Sequence, residues 1–272
     1  MIMNKDDTIL SIDNLAIGYD ERTILKNISM KISKGKIVAI MGGSGAGKTT
    51  LLKTIIGQLP AKQGSITMLN KKMDSTSQKE NKLIRKNLGV LFQHGALFSD
   101  LNVFENVAFP VVEHNTLPKN KLVDIVLEKL NSVGLRAAAH LPISKISGGM
   151  SKRVALARAM MLNPKIMLYD EPFSGLDPIS TDIIAKLIKT FSIQTKCASI
   201  IITHDVKKTF EIADMVYIID QENLISSGTP SDLTKSDNLY VKQFIQGNSK
   251  NPLAFHYPET IEFKEWLKKQ GN

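Results

Sequence analysis

Residues 42–49 read Gly42-Gly43-Ser44-Gly45-Ala46-Gly47-Lys48-Thr49, directly after the apolar run KIVAIM and directly before the helical pattern TTLLKTIIGQL. The spacing is G-x-x-x-x-G-K-[ST], a phosphate-binding loop. Glycines let the backbone wind closely around an anion without Cβ collisions. The amide N–H groups then converge on the phosphates, reinforced by the N-terminus of the next helix, to which Thr50 belongs. Lys48 is placed to reach the β- and γ-phosphates of a nucleotide, and Thr49 to hold Mg²⁺. The motif predicts nucleoside triphosphate binding on an α/β scaffold and does not separate GTPases, kinases and ATPases.

The rest of the chain is read around that loop. ILSIDNLAIGY and ILKNISMKIS alternate as an antiparallel strand pair, and GSITML and LGVLFQ are further strands. From about Phe98 to Ala159 the apolar spacing turns helical, as in KLVDIVLEKLNSVGL, which predicts a helical subdomain inserted into the core. Strands and helices alternate again from KIMLYDEP through TDIIAKLIKTF, ASIIITHD, VKKTFEIADM and MVYIID, the pattern of a parallel sheet with helices on its faces. NLYVKQFIQ is a last helix. The expected organisation is one α/β domain over residues 1–246 and a C-terminal extension over 247–272.

A second chemical requirement is met by KIMLYDEP, an apolar strand ending in Asp170 and Glu171. Open α/β sheets bind ligands at the carboxyl ends of their strands. Asp170 is expected to bind Mg²⁺ and Glu171 to act as general base on the attacking water.

A third element is Ile146-Ser147-Gly148-Gly149-Met150, followed by Ser151-Lys152-Arg153. It is a helix start with a serine cap and two glycines, an anion site with no lysine in the tip itself. It resembles the LSGGQ-x-x-R signature of the ABC ATPases, and the order of P-loop, signature and DE strand matches that family. The resemblance implies a P-loop NTPase core with an antiparallel β subdomain and an inserted α-helical subdomain. It implies that Ser147, Gly148 and Gly149 close over the ATP of a facing copy. Tyr19 then matches the adenine-stacking aromatic, and Gln93 the glutamine that senses Mg²⁺ and water. Ser174-Gly175-Leu176-Asp177 matches the loop that crosses to the other subunit, and His204 the histidine that contacts the γ-phosphate. His94, His114, His140 and His256 match nothing catalytic and read as surface or packing residues.

A narrower resemblance lies in LFQHGALFSDLNVFENVAFPVVEH, in methionine at position 150, in DEPFSGLDPI and in NPLAFHYP. These strings are similar to the ATPases of Mla/MCE phospholipid-trafficking transporters. Such a likeness implies a homodimeric motor on the cytoplasmic face of the inner membrane, bound to an integral-membrane permease. A STAS-domain subunit and a periplasmic MCE-domain protein are implied as further partners, and phospholipid moved between the inner and outer membranes as cargo. Phe255, Tyr257 and Trp266 are expected to dock the extension on the dimer mate. An importer ATPase for amino acids or metals would carry the same motor. A non-transport ABC ATPase would add long coiled coils or a second cassette, and neither is present.

Composition supports these limits. The formal charge is +9, but the lysines are scattered and aromatics make up 6%, so no nucleic-acid-binding stripe is expected. The single Cys197 sits in an apolar stretch and reads as a buried thiol of a reducing compartment. No apolar run approaches the ~18 residues of a membrane span, so a membrane role is expected to come through partners.

Overall fold

The computed structural model describes residues 7–73, 78–114, 118–220, 222–247 and 260–270. Strands β1 (Thr8–Tyr19) and β2 (Arg22–Ser33) form an antiparallel ribbon that turns between Tyr19 and Arg22. β4 (Gln63–Met68) pairs with the other edge of β1, and the short β5 (Lys71–Lys72) completes a sheet of order β2-β1-β4-β5. The second sheet contains β3 (Ile37–Met41), β6 (Leu88–Leu91), β7 (Ile166–Asp170), β8 (Ala198–Thr203), β9 (Met215–Asp220) and β10 (Asn223–Gly228). Its order is β10-β9-β3-β8-β7-β6, with every pairing parallel except β9 with β10.

β3, β7 and β8 are buried at every position, because apolar layers cover both faces of the sheet. That is why these strands read as unbroken apolar runs rather than as alternation. The period of two survives in which core each residue enters. Ile166 and Leu168 point into the core beneath the antiparallel sheet, while Met167 and Tyr169 point into the helical core on the other face. Helix α1 (Lys48–Ile55) lies in the first of these cores through Leu51, Leu52 and Ile55.

Between β6 and β7 run α3 (Val103–His114), α4 (Lys119–Ser132) and α5 (Gly148–Ala159), with 3₁₀ turns at Arg136–Ala138 and Ile143–Lys145. This is the helical stretch expected from the sequence. α6 (Pro178–Thr195) and α7 (Val206–Ile212) alternate with β7, β8 and β9 as expected. Five helices and strands were not anticipated: the short strand β5, α2 (Gln78–Arg85), the edge strand β10, α8 (Pro230–Thr234) and α10 (Ile261–Lys269). α9 (Leu239–Gln246) ends at Gly247, where φ is +63°. In α10 Trp266 stacks on Phe263 with ring centroids 6.0 Å apart and stays 54% exposed. Phe255 and Tyr257 of the expected docking strap lie outside the described residues. Among the described residues no helix is long and apolar enough to cross a membrane.

The loop after β6 is held by a residue that carries no motif. Asn106, on α3, is fully buried. The Phe98 N–H donates to Asn106 Oδ1 at 2.9 Å. Asn106 Nδ2 lies 3.0 Å from the Phe98 and Asn102 carbonyls and 3.2 Å from that of Leu101. Replacing Asn106 by Ala leaves these partly buried backbone groups without their partner, and a group left unsatisfied on burial costs on the order of 1–3 kcal/mol. Urea unfolding of Asn106→Ala is expected to show a loss of about 2 kcal/mol or more. An unchanged midpoint would mean that solvent reaches these groups.

Cys197 is buried as expected, and burial pushes its thiol up to about 12, so it stays protonated and inert near neutral pH.

Candidate active site

The parallel strands β3, β6, β7 and β8 all deliver their carboxyl ends to one edge of the sheet, and a cavity of about 520 Å³ opens there. Its lining includes Ser44, Gly45, Ala46, Gly47, Lys48, Thr49 and Thr50 from the loop between β3 and α1. Gln93 enters from beyond β6, Glu171 from the end of β7 and His204 from the end of β8. The strand expected to run through Gln93 stops at Leu91. Gln93 is therefore an exposed loop residue, free to face the cavity.

The loop needs its glycines for stated geometric reasons. Gly45 has φ +81° and Gly47 φ +89°, the left-handed region that side chains rarely adopt. A Cβ on Gly47 would also lie 2.7 Å from Ile24 Cγ2. Gly42 and Gly43 stand behind the loop, and their carbonyls accept from Lys48 Nζ at 2.7 and 2.8 Å. Burial lowers the Lys48 ammonium, while Glu171, Asp170 and Asp220 oppose that shift. The ammonium is thus a partly desolvated cation at the cavity wall, the electrostatic condition for holding phosphate.

Asp170 and Glu171 are adjacent but differ in setting. Asp170 is 7% exposed, and its carboxyl is raised first by burial and then by repulsion from Glu171. Lys152, Lys48 and His94 pull it back. His94, read as a surface residue, is exposed. Glu171 has φ +46°, a conformation unfavourable for a non-glycine residue and found where function holds the backbone in place. Its N–H donates to the Ile202 carbonyl at 2.8 Å. Thr203 Oγ1 donates to Glu171 Oε2 at 3.0 Å, and His204 Nδ1 lies 2.9 Å from Oε1. Both carboxylate oxygens are therefore oriented before any substrate binds.

Of the expected residues, Gly42, Gly43 and the buried Asp170 adjoin the lining in sequence without being part of it. Two further groups, largely exposed, are also off it. Tyr19, at the end of β1, is 43% exposed and is not part of the cavity lining, where Ile24 of the neighbouring strand is found instead. Ser147, Gly148 and Gly149 also lie off the lining, at the start of α5. Ser147 caps that helix, accepting from the Met150 N–H at 3.2 Å. Ser147 and Gly148 are exposed, and a Cβ on Gly148 would meet nothing within 4 Å. Asp177 spends one carboxylate oxygen on its own helix, accepting from the N–H groups of Ile179 and Ser180 at 2.9 and 3.0 Å. Hydrogen bonds from Ser180 hold its carboxyl below the usual range.

Sequence reasoning missed Ile24, Thr203 and Lys152. Thr203 precedes the histidine in ASIIITHD and reads there as one more strand residue. Lys152 has no assigned role in the run after the glycine tip; it is 7% exposed and donates into the site.

The model of the family described as ABC transporter matches residues 25–174, which include the phosphate loop, Gln93, the Ser147 tip and the Asp170-Glu171 pair. The chain belongs to the ABC transporter family. This ABC ATPase is 46% identical over 260 residues to the intermembrane phospholipid transport system ATP-binding protein MlaF of Haemophilus influenzae, covering 96% of this chain and 98% of that one. It is 42% identical over 237 residues to MlaF of Escherichia coli, covering 87% and 88%. Among solved structures it is similar to cbiO1 from Clostridium perfringens, part of the ABC transporter complex cbiONQ. The TM-score is 0.79 and the identity 32%, over 87% of this chain and 94% of that one. It is also similar to a dimeric ATP-binding cassette in a post-hydrolysis state bound to ADP and Pi, with a TM-score of 0.75 and 27% identity over 82% and 99%. The ABC ATPase therefore binds and hydrolyses ATP on the expected P-loop fold.

Proposed function

We propose that this ABC ATPase is the motor subunit of a transporter that moves phospholipid between inner and outer membranes, and that it works as a head-to-tail pair. The observation that carries the paired mechanism is the separation of its anion sites. The cavity gathers Lys48, Gln93, Glu171 and His204, while the Ser147 tip faces solvent away from it. A second copy offers that tip to the γ-phosphate held by the first. The similar cassette that is dimeric with ADP and Pi supports this arrangement. The similarity to MlaF over nearly the whole chain favours phospholipid cargo over amino acids or metals.

In the proposed mechanism the loop from Gly42 to Thr50 holds the phosphates, and Lys48 turns its hydrogen bonds from the Gly42 and Gly43 carbonyls to the β- and γ-phosphates. Tyr19 stacks on adenine at the outer edge of the site. Glu171 accepts the proton of the attacking water, with Thr203 and His204 fixing its two oxygens. Ser147, Gly148 and Gly149 of the facing copy donate to the γ-phosphate. Asp170, Thr49 and Gln93 fit Mg²⁺ brought in with the nucleotide. Among the described residues no group of three His, Cys, Asp or Glu could hold a metal alone. A divalent cation beside the buried Asp170 would offset the cost of its charge. When bound, Mg²⁺ supplies neutralisation of the phosphate oxygens. Loss of phosphate removes the anion that joins the two copies, and Gln93 passes the opening to the permease.

The ATPase core is assigned to residues 1–246, with the helical subdomain at about 98–159 and an extension at 247–272 that docks on the dimer mate. The proposed setting is the cytoplasmic face of the inner membrane, with a permease, a STAS-domain subunit and a periplasmic MCE-domain protein as partners. Affinity purification from membranes tests the proposal. A permease and glycerophospholipid should co-elute, and the purified permease should stimulate ATP hydrolysis where DNA and ribosomes do not. Co-elution with an importer permease, or stimulation by nucleic acid, would overturn it.

A further inference from the structure

Lys152 is a buried cation joining three parts of the molecule that the sequence keeps far apart. It sits one turn into α5, the helix whose exposed tip is Ser147. It is 7% exposed, and its Nζ donates to the Gln93 carbonyl at 2.6 Å and to the Glu171 carbonyl at 3.1 Å. Gln93 follows β6 and Glu171 follows β7, the neighbouring parallel strand, so one ammonium ties the tips of two adjacent strands to one helix. The same helix grips the Gln93 loop again one and a half turns further on, where Arg158 donates to the Gly95 and Ala96 carbonyls at 2.6 and 2.8 Å.

We propose that Lys152 is a positioning residue that locks Gln93 and Glu171 to their own signature helix and thereby couples the two ATP sites of a dimer. The inference rests on the head-to-tail reading and on Glu171 as the base. Gln93 and Glu171 serve the ATP bound by their own chain, whereas the Ser147 tip serves the ATP of the facing chain. Lys152 bridges these two duties within one chain. Glu171 holds a left-handed backbone conformation, so a donor on its carbonyl helps to keep the carboxylate aimed into the cavity. A shift of the Gln93 loop on nucleotide binding is passed by the same ammonium to α5, and from its tip to the neighbouring site. Burial lowers the Lys152 ammonium, and Asp170 and Glu171 oppose that shift, so the bridge is a partly desolvated cation beside two carboxylates.

The test uses the full chain with its membrane partners. Lys152→Met keeps the length and apolar stem but removes the donor, and Lys152→Arg keeps a donor that can reach two carbonyls. Losing a hydrogen bond from a charged group at the transition state is expected to lower kcat about tenfold or more. For Lys152→Met the Hill coefficient for ATP should fall towards one. Its affinity for a fluorescent ATP analogue in the monomer should stay within about twofold, since Lys152 touches no part of the phosphate loop. Lys152→Arg should restore both kcat and cooperativity. A Lys152→Met protein with unchanged kcat and Hill coefficient would overturn the inference, as would a loss of nucleotide affinity in the monomer equal to the loss of kcat. Loss of kcat that Arg does not restore, with cooperativity intact, would also overturn it. Glu171→Gln run beside these variants separates the two levels. If that variant turns over normally, the assignment of the base has failed, whatever Lys152 does.

Discussion

Glu171→Gln is expected to bind ATP, to hydrolyse it about 10²–10⁴ times more slowly, and to accumulate as ATP-bound dimers. The substitution is nearly isosteric. Its amide oxygen can still accept from Thr203, so the φ of +46° and the backbone bond to Ile202 need not change. What disappears is a carboxylate able to take a proton from water. Size-exclusion chromatography with ATP should show a dimer where the parent protein cycles back to monomer, and single-turnover phosphate release should show the loss in the chemical step. Turnover at the parent rate would remove Glu171 from the mechanism and leave its two oriented oxygens without a use.

Ser147→Glu should abolish turnover while leaving nucleotide binding by the monomer intact. The tip is exposed and lies off the lining of its own chain's nucleotide cavity, so the new carboxylate meets solvent in the monomer and meets a γ-phosphate only in the dimer. Two like charges 4 Å apart repel by about 4 kcal/mol at an effective dielectric constant of 20. On that scale ATP-driven association should weaken by about 10³. Ser147→Ala is the control: it removes the cap on Met150 without adding charge and should cost about 1 kcal/mol of stability. A mixing experiment isolates the shared site. Lys48→Met and Ser147→Glu should each be inactive alone, but a mixed dimer regains one intact site, made of the phosphate loop from the second variant and the tip from the first. ATPase activity that reappears on mixing supports sharing between copies. Full activity of Ser147→Glu as a monomer would end it.

These predictions draw on residues of different visibility. Lys48, Asp170, Glu171 and Ser147 stand in contiguous strings whose spacing carries their chemistry, so each was recognisable without a fold. Gln93 and His204 needed a resemblance, since a lone Gln after LGVLF or a lone His after IIIT has no chemical context of its own. Thr203 and Lys152 were invisible for a different reason: their partners lie far away in sequence. Asn106 bonds residues only four to eight positions away, but it does so through loop backbone whose path the sequence does not give. Lys152 meets Gln93 across 59 positions and Glu171 across 19, and nothing in SGGMSKR distinguishes it from a solvated lysine. Tyr19 was legible as an aromatic at a strand end, but its exposure leaves it at the margin of the site rather than in its wall. The end of β6 at Leu91 was also misread. The apolar run continues through Phe92, but Phe92 is 37% exposed and the ladder has already ended.

The sequence by itself determined the reacting groups and the elements that carry them. A glycine loop between strand and helix, a strand ending in two acids, and a capped glycine tip are local facts, set by backbone conformation and residue type over a few positions. Only the tertiary structure decided that β3, β8, β7 and β6 lie side by side and parallel, because strand order depends on long-range packing of two faces that each strand shares equally. That order brings Lys48, His204, Glu171 and Gln93 to one edge, and the packing of α5 buries Lys152 against it while leaving the Ser147 tip in solvent.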